Sequence, residues 1–184
     1  MTGAMFGRRD DASQAAFTDN SGGSASDTIA AGVGIYTVAI PVDLNSISGA
    51  GDVLTTWTPG HRGKILDMDF AVSKPVTTAA KAATLNAEIG TTNLTGGAIA
   101  LTSANCTPLG AIVAGSAITA DNVFGASDTV SIEAASVTQF SEGQGFVLMR
   151  IQNLDTADFI AAMADKFNEV RTTLVETGKW KGAA

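Results

Sequence analysis

From Ile35 onward, apolar and polar positions alternate in short runs that are separated by Gly, Pro, Asn, Asp and Ser. Such runs are typical of β-strands, and many short strands at regular spacing favour a sandwich or a barrel. The pattern predicts eight strands: Ile35 to Val42, Asp52 to Thr58, Lys64 to Ser73, Ala82 to Ile89, Ala98 to Thr102, Leu109 to Ile118, Thr129 to Ala134 and Gly145 to Gln152. Helical runs do not alternate with these strands, which disfavours a parallel α/β fold. We therefore expect a mainly β chain, with an antiparallel β-sandwich of jelly-roll type over residues 35–153.

Two segments show the alternation most clearly. In KILDMDFAVS, the side chains expected to face the core are Leu66, Met68, Phe70 and Val72, and those expected to face outward are Ile65, Asp67, Asp69 and Ala71. In ATLNAEIG, the inward side chains are Leu85, Ala87 and Ile89. One face of each strand is thus expected to be buried and the other to be mostly exposed to solvent.

The chain ends in a helical pattern, LDTADFIAAMADKFNEVRTTLVETGKW, within residues 154–184. Asp155 is the expected N-cap and Asp158 the first-turn carboxylate, while Gly178 is the expected C′ residue. The apolar positions fall at steps of three and four, the a and d positions of a heptad, and are Ile160, Met163, Phe167, Val170 and Leu174.

This apolar stripe is narrow, which favours self-association around a symmetry axis and a homotrimer. Packing of the helix against its own sandwich remains the alternative. Lys166 and Arg171 fall at g and e positions, where a parallel neighbour would bring like charges together. The helix is therefore expected to be an accessory contact and not the sole oligomerisation device.

Residues 1–34 are rich in Gly, Ser, Ala and Asp and lack a sustained apolar period. We expect an extended N-terminal arm. The arm is either a flexible terminus without a role or a segment that orders on a partner surface, with Phe6 and Phe17 as anchors.

Composition and charge exclude several classes of partner. The net charge of −7 and the scattered 11 Lys and Arg residues argue against nucleic acid, since phosphate binding needs clustered basic side chains. No segment approaches eighteen consecutive apolar residues, so neither a membrane span nor a signal peptide is expected. The single cysteine, Cys106, cannot form an intramolecular disulfide, which fits folding in a reducing cytoplasm.

Candidate chemical groups are few. His61 is the only histidine, so a metal site built on several imidazoles is excluded, and its Gly/Pro turn favours an exposed surface position over a catalytic one. Cys106 is expected to be an inert side chain and not a nucleophile. Asp67 and Asp69 point to the same side of a strand, where they form a solvated face, ligate a calcium ion or act as an acid/base pair. We expect no enzyme activity, cofactor or metal.

Several segments resemble the head proteins of tailed bacteriophages, specifically capsid decoration (cement) or head-fibre proteins. The segments are SGGSASDTIAAG, PVTTAAKAATLNAEIGTTNLTGGAIALTSANCTPLGAIVAGSAITA and ADKFNEVRTTLVETGKWKG. The resemblance implies a non-enzymatic trimer, made in the host bacterial cytoplasm, that sits on the virion exterior, contacts the major capsid protein and stabilises the shell. The alternative is a receptor- or carbohydrate-binding knob of a phage fibre, although the available aromatic residues Tyr36, Trp57 and Trp180 are far apart in sequence.

Overall fold

The computed structural model describes residues 34–177, except for the side chains of Thr55, Val175 and Glu176. The strands in this range are β1 (Ile35–Asp43), β2 (Gly51–Trp57), β3 (Gly63–Lys74), β4 (Ala82–Ile89), β5 (Thr92–Asn93), β6 (Ile99–Thr102), β7 (Ile112–Ala114), β8 (Val123–Phe124), β9 (Val130–Thr138) and β10 (Gln144–Asn153). A short 3₁₀ turn, Leu44–Ser46, follows β1, and one helix, α1 (Leu154–Glu176), follows β10. The mainly β prediction with a C-terminal helix is confirmed.

The strands form two antiparallel sheets. Sheet I has the order β1-β10-β3-β7, with β8 also pairing with β3. Sheet II has the order β2-β9-β4-β5, with β6 also pairing with β4. Residues Ile35–Asp155 form one compact unit, called the β body below, whereas α1 from Thr156 onward belongs to a second unit.

One hydrophobic core lies within the β body and draws on both sheets. Sheet I contributes Phe70, Met149 and Ile151, and sheet II contributes Leu85 and Ile132, all of which are fully buried. Gly145 in β10 leaves room for the ring of Phe70, because a Cβ atom at this position would lie 2.3 Å from Phe70 Cζ. The alternation predicted for β4 is confirmed at Leu85 and Ala87, which are buried.

The alternation predicted for β3 fails at one end of the strand. Arg150 of β10 pairs with Asp67, but the next residue, Ile151, pairs with Ile65, so Leu66 is an extra residue on β3. A β-bulge of this kind reverses the faces of the residues that precede it. Ile65, expected to face outward, is therefore fully buried, and Leu66, expected in the core, is partly exposed.

Several strand boundaries also differ from the prediction. The run from Leu109 to Ile118 contains only the three-residue strand β7, and β9 continues beyond Ala134 to Thr138. The two-residue strands β5 and β8 were not predicted, because two residues carry no measurable period.

The predicted N-cap is wrong by two positions. α1 begins at Leu154, directly after β10 ends at Asn153, and Asp155 lies in the first helical turn. The Asp155 carboxylate accepts a hydrogen bond from the backbone N–H of Arg62 at 3.1 Å and pairs with the Arg62 guanidinium at 3.6 Å.

Residues 1–33, Gly178 and Trp180 lie outside the described residues. Within residues 34–177, α1 lacks the apolar length that a membrane-spanning helix requires.

Two loops of the β body are joined through one carboxylate. Glu142, between β9 and β10, accepts hydrogen bonds from the backbone N–H and the hydroxyl of Thr77 and of Thr78, at distances of 2.7 to 2.9 Å. These bonds favour the ionised form and lower the pKa of Glu142 from 4.5 to about 2. The neighbouring backbone is also close-packed, because a Cβ atom on Gly143 would lie 2.6 Å from Val76 Cγ2.

We predict that Glu142 stabilises the fold above its ordinary pKa and that this contribution is lost on acidification. The folded-state pKa lies below the unfolded one, so the loss occurs as the pH falls from 4.5 to about 2. Urea unfolding midpoints measured across this range should show a stability difference between the natural protein and Glu142→Gln that shrinks with falling pH. Thr77→Val, which keeps the backbone donor, should give a smaller difference of the same sign. A difference that is independent of pH would contradict the assignment.

Candidate functional site

Four large apolar side chains lie exposed along one face of α1. Phe167 is 69% exposed, Phe159 63%, Val170 56% and Met163 40%. Three of them, Met163, Phe167 and Val170, belong to the predicted apolar stripe. The remaining members of the stripe, Ile160 and Leu174, are partly exposed. Exposed apolar side chains on one contiguous face are typical of an interaction surface. The other predicted contact residues, Phe6 and Phe17, lie outside the described residues.

Phe159 is the member of this face that the heptad prediction missed. It falls at a g position, four residues before Met163 and eight before Phe167, so all three lie on one side of the helix. A template restricted to a and d positions omits it. The apolar face is therefore wider than the predicted stripe, and a face of a, d and g positions is typical of helices that pack in a bundle or on a globular core. The exposure of these side chains, and not the narrowness of the stripe, is what favours self-association.

A shallow groove of about 340 Å³ runs along this face. Its lining residues are Phe159, Ala162, Met163, Lys166, Phe167 and Val170. They form two four-residue sets with the spacing i, i+3, i+4 and i+7, which share Met163 and Lys166. In a coiled coil, a hole of four such residues receives one side chain of the facing helix. The face of α1 thus has the surface relief that a second helix requires.

The charged end of Lys166 is held by Glu169. Its Nζ donates to the Glu169 carboxylate at 2.6 Å, which raises the pKa of Lys166 and lowers the pKa of Glu169. The aliphatic stem of Lys166 lines the groove. Long basic side chains cover apolar surface in this manner while their charge remains in water.

His61 is half-buried, not fully exposed as its turn sequence suggested. Its Nδ1 donates to the carbonyl oxygen of Arg62 at 2.9 Å, and its Nε2 forms a hydrogen bond of 2.6 Å with the Tyr36 hydroxyl. The ring also lies edge-on to Tyr36 and 5.6 Å from it, measured between centroids. The carbonyl of Arg62 accepts a second hydrogen bond from Leu154 N–H at 3.0 Å. His61 and Leu154 thus donate to the same carbonyl oxygen within the β body.

The other candidate chemical groups have structural surroundings. Cys106 is fully buried, and burial raises the pKa of its thiol, which lowers its reactivity. Asp67 forms an ion pair with Arg150, the residue directly opposite on β10. Among the described residues, neither Cys106 nor Asp67 therefore belongs to a cluster in which a base could activate a nucleophile.

Three carboxylates meet on sheet II, and the sequence analysis did not single them out. The oxygens of Asp52, Glu88 and Glu133 lie within 4.8 Å of one another, on the neighbouring strands β2, β4 and β9. Ser131 donates a hydrogen bond to Glu88 at 3.2 Å. Such oxygens could hold a hard divalent cation, but exposed acidic groups are common without one. Their positions are 36 or more residues apart, so only strand pairing brings them together.

We predict that Glu133→Gln stabilises the β body at low ionic strength. Like charges on adjacent strands repel, and removing one of three should raise the free energy of unfolding by about 0.5 kcal/mol. Urea unfolding at about 0.01 M and 1 M salt measures this, since salt screens exposed charges and should reduce the gain. If Glu133→Gln instead lowers the stability at low salt, the three carboxylates bind a cation in the natural protein, and the variant has lost one of its ligands.

Comparison with known proteins gives this chain no relatives: no family model, no curated protein and no solved structure matches it. The site therefore has to be interpreted from its own residues. Its main feature is the exposed apolar face of α1.

Proposed function

We propose that this chain is a structural protein of a bacteriophage virion, which binds the outside of the capsid and stabilises the shell as a decoration protein. The observation that carries the proposal is the exposed apolar face of α1, which suits a protein that assembles with copies of itself. The major capsid protein is the proposed partner, in addition to a homotrimer of this chain. Nucleic acid and membrane are not proposed as partners, and no catalytic role is proposed.

We also assign the β body to the jelly-roll type of β-sandwich. In support, eight of its ten strands divide equally between the sheets: β1, β10, β3 and β7 in sheet I, and β2, β9, β4 and β6 in sheet II. A jelly roll consists of eight antiparallel strands in two sheets, and the fold occurs in viral capsid proteins. Fold alone does not determine function, so this assignment only makes a virion role compatible with the architecture.

The width of the apolar face favours three helices over two. Phe159 at g adds to the a and d residues, and the groove that it helps to line has room for side chains of another helix. In a parallel trimer, Lys166 at g would approach Arg171 at e of a neighbour. The Glu169 carboxylate already bonded to Lys166 reduces that repulsion.

We predict that Phe167→Asp weakens self-association by tenfold or more, because a charge would enter the apolar contact. Sedimentation equilibrium at micromolar concentration measures the change. Thr172→Asp is the matched control, since Thr172 is exposed on the helix and lies outside the groove lining. A natural protein that is monomeric would contradict the trimer. An oligomer that is unchanged by Phe167→Asp would move the interface to the β body.

We further predict that particles carrying this protein release their genome at a higher temperature than particles lacking it. A ligand that binds only the intact shell stabilises the shell through linkage. Heat-driven genome release, measured with a DNA-binding dye across a salt series, checks this. An electrostatic share of docking should weaken as salt rises, whereas an apolar share should persist. Identical release curves at every salt concentration would reject the decoration role and favour a receptor-binding knob.

A further inference from the structure

The outer face of sheet I is apolar where its strands cross. The pairing register aligns Pro41 of β1, Phe146 of β10, Ala71 of β3 and Ile112 of β7 in one row across four strands. Phe146 is 40% exposed and Ile112 57%. An outer sheet face that is only solvated usually carries polar side chains.

The next row continues the same surface. It aligns Ala39, Leu148, Asp69 and Ala114 on the same four strands. Ala39 and Ala114 are exposed, and Leu148 is partly exposed. The seven apolar residues of the two rows form what we call the platform: Ala39, Pro41, Ala71, Ile112, Ala114, Phe146 and Leu148.

Asp69 is the one charged residue within these two rows. Its carboxylate forms no hydrogen bond or ion pair with any residue in the described range, whereas Asp67 in the following row is paired with Arg150. The outer face of sheet II differs, because it carries an acidic set of the exposed Asp52 and the partly exposed Glu88 and Glu133. The two outer faces are thus chemically unlike, one apolar with a single carboxylate and one acidic.

We infer that the platform is the surface that docks onto the capsid shell. Its partner is a flat protein surface that presents apolar side chains and one Arg or Lys to Asp69. The inference rests on the proposed function and names the face that performs it. Two observations favour this occupant: the in-register apolar rows provide the area, and the unpaired carboxylate among them requires a cation when it is desolvated.

A second copy of this chain fits the platform less well. In a two-fold contact both copies use the same patch, so two Asp69 carboxylates would be buried in one interface. The two platform rows hold no basic residue that could neutralise them. The partner must therefore supply the positive charge.

Co-sedimentation of the purified protein with empty shells of the phage that encodes it tests the inference. Ile112→Asp should weaken binding about tenfold or more, since it adds a second charge to the apolar row. Ala100→Asp is the matched control: it adds the same charge at an exposed position of β6 in sheet II and should change binding less than about twofold. Asp69→Asn should weaken binding, and Asp69→Lys should weaken it further. Circular dichroism checks that each variant is folded.

The outcomes separate this inference from the proposed function. If the natural protein does not co-sediment with the shells, the proposed function fails. If it binds, but Ile112→Asp and Asp69→Lys bind equally well, the decoration role stands and the platform is wrong. Loss of binding with Ala100→Asp alone would assign docking to sheet II. A self-association that Ile112→Asp abolishes would show that the platform joins two copies of the chain.

Discussion

The alternation of side chains along β10 is the constraint on which the rest of the structure depends. β10 lies between β1 and β3, so both of its edges are paired and only its two faces can differ. Val147, Met149 and Ile151 face inward and are fully buried. The side chains that face outward do not pack in the core, so these positions can hold residues that contact a partner without changing the fold. The strand then continues without a loop into Leu154 and Asp155, which are the last two residues of the β body and both contact Arg62.

Much of the architecture could be predicted because it depends on patterns of residues that are close together in sequence. Strands such as β4 show their faces in consecutive residues, and the seam of α1 repeats at steps of three and four. The bulge at Leu66 could not be predicted, because it is a property of how β3 pairs with β10. Ile65 and Leu66 are equally apolar, so neither residue indicates which of the two faces the core. A helical pattern that includes g positions would have identified Phe159, whereas a pattern restricted to a and d positions excludes it.

The surfaces of the β body are non-local, which explains why the sequence analysis did not find them. The platform row joins Pro41 to Phe146, residues more than a hundred positions apart. The acidic set on sheet II and the Glu142 contacts to the loop at Thr77 arise in the same way, from pairing and from loops that meet in space. In each case the single residue is unremarkable in its own segment. Strand order and register have to be known before these residues can be grouped, and local periodicity does not contain that information.

The two apolar surfaces differ in what they select. The face of α1 offers holes at helical spacing, so the proposed contact with another helix would be specific through shape. The platform is built from a flat sheet, on which apolar contact alone would accept many partners. Asp69 changes this, because a partner without a cation would bury an unpaired carboxylate, whereas a partner with one forms a charge pair among apolar neighbours. The net contribution of such a pair to affinity is small, but removal of either partner leaves the other charge buried and unpaired, so the carboxylate would exclude wrong partners. In a two-fold contact this exclusion extends to a second copy of the chain, because two Asp69 carboxylates would meet in one interface.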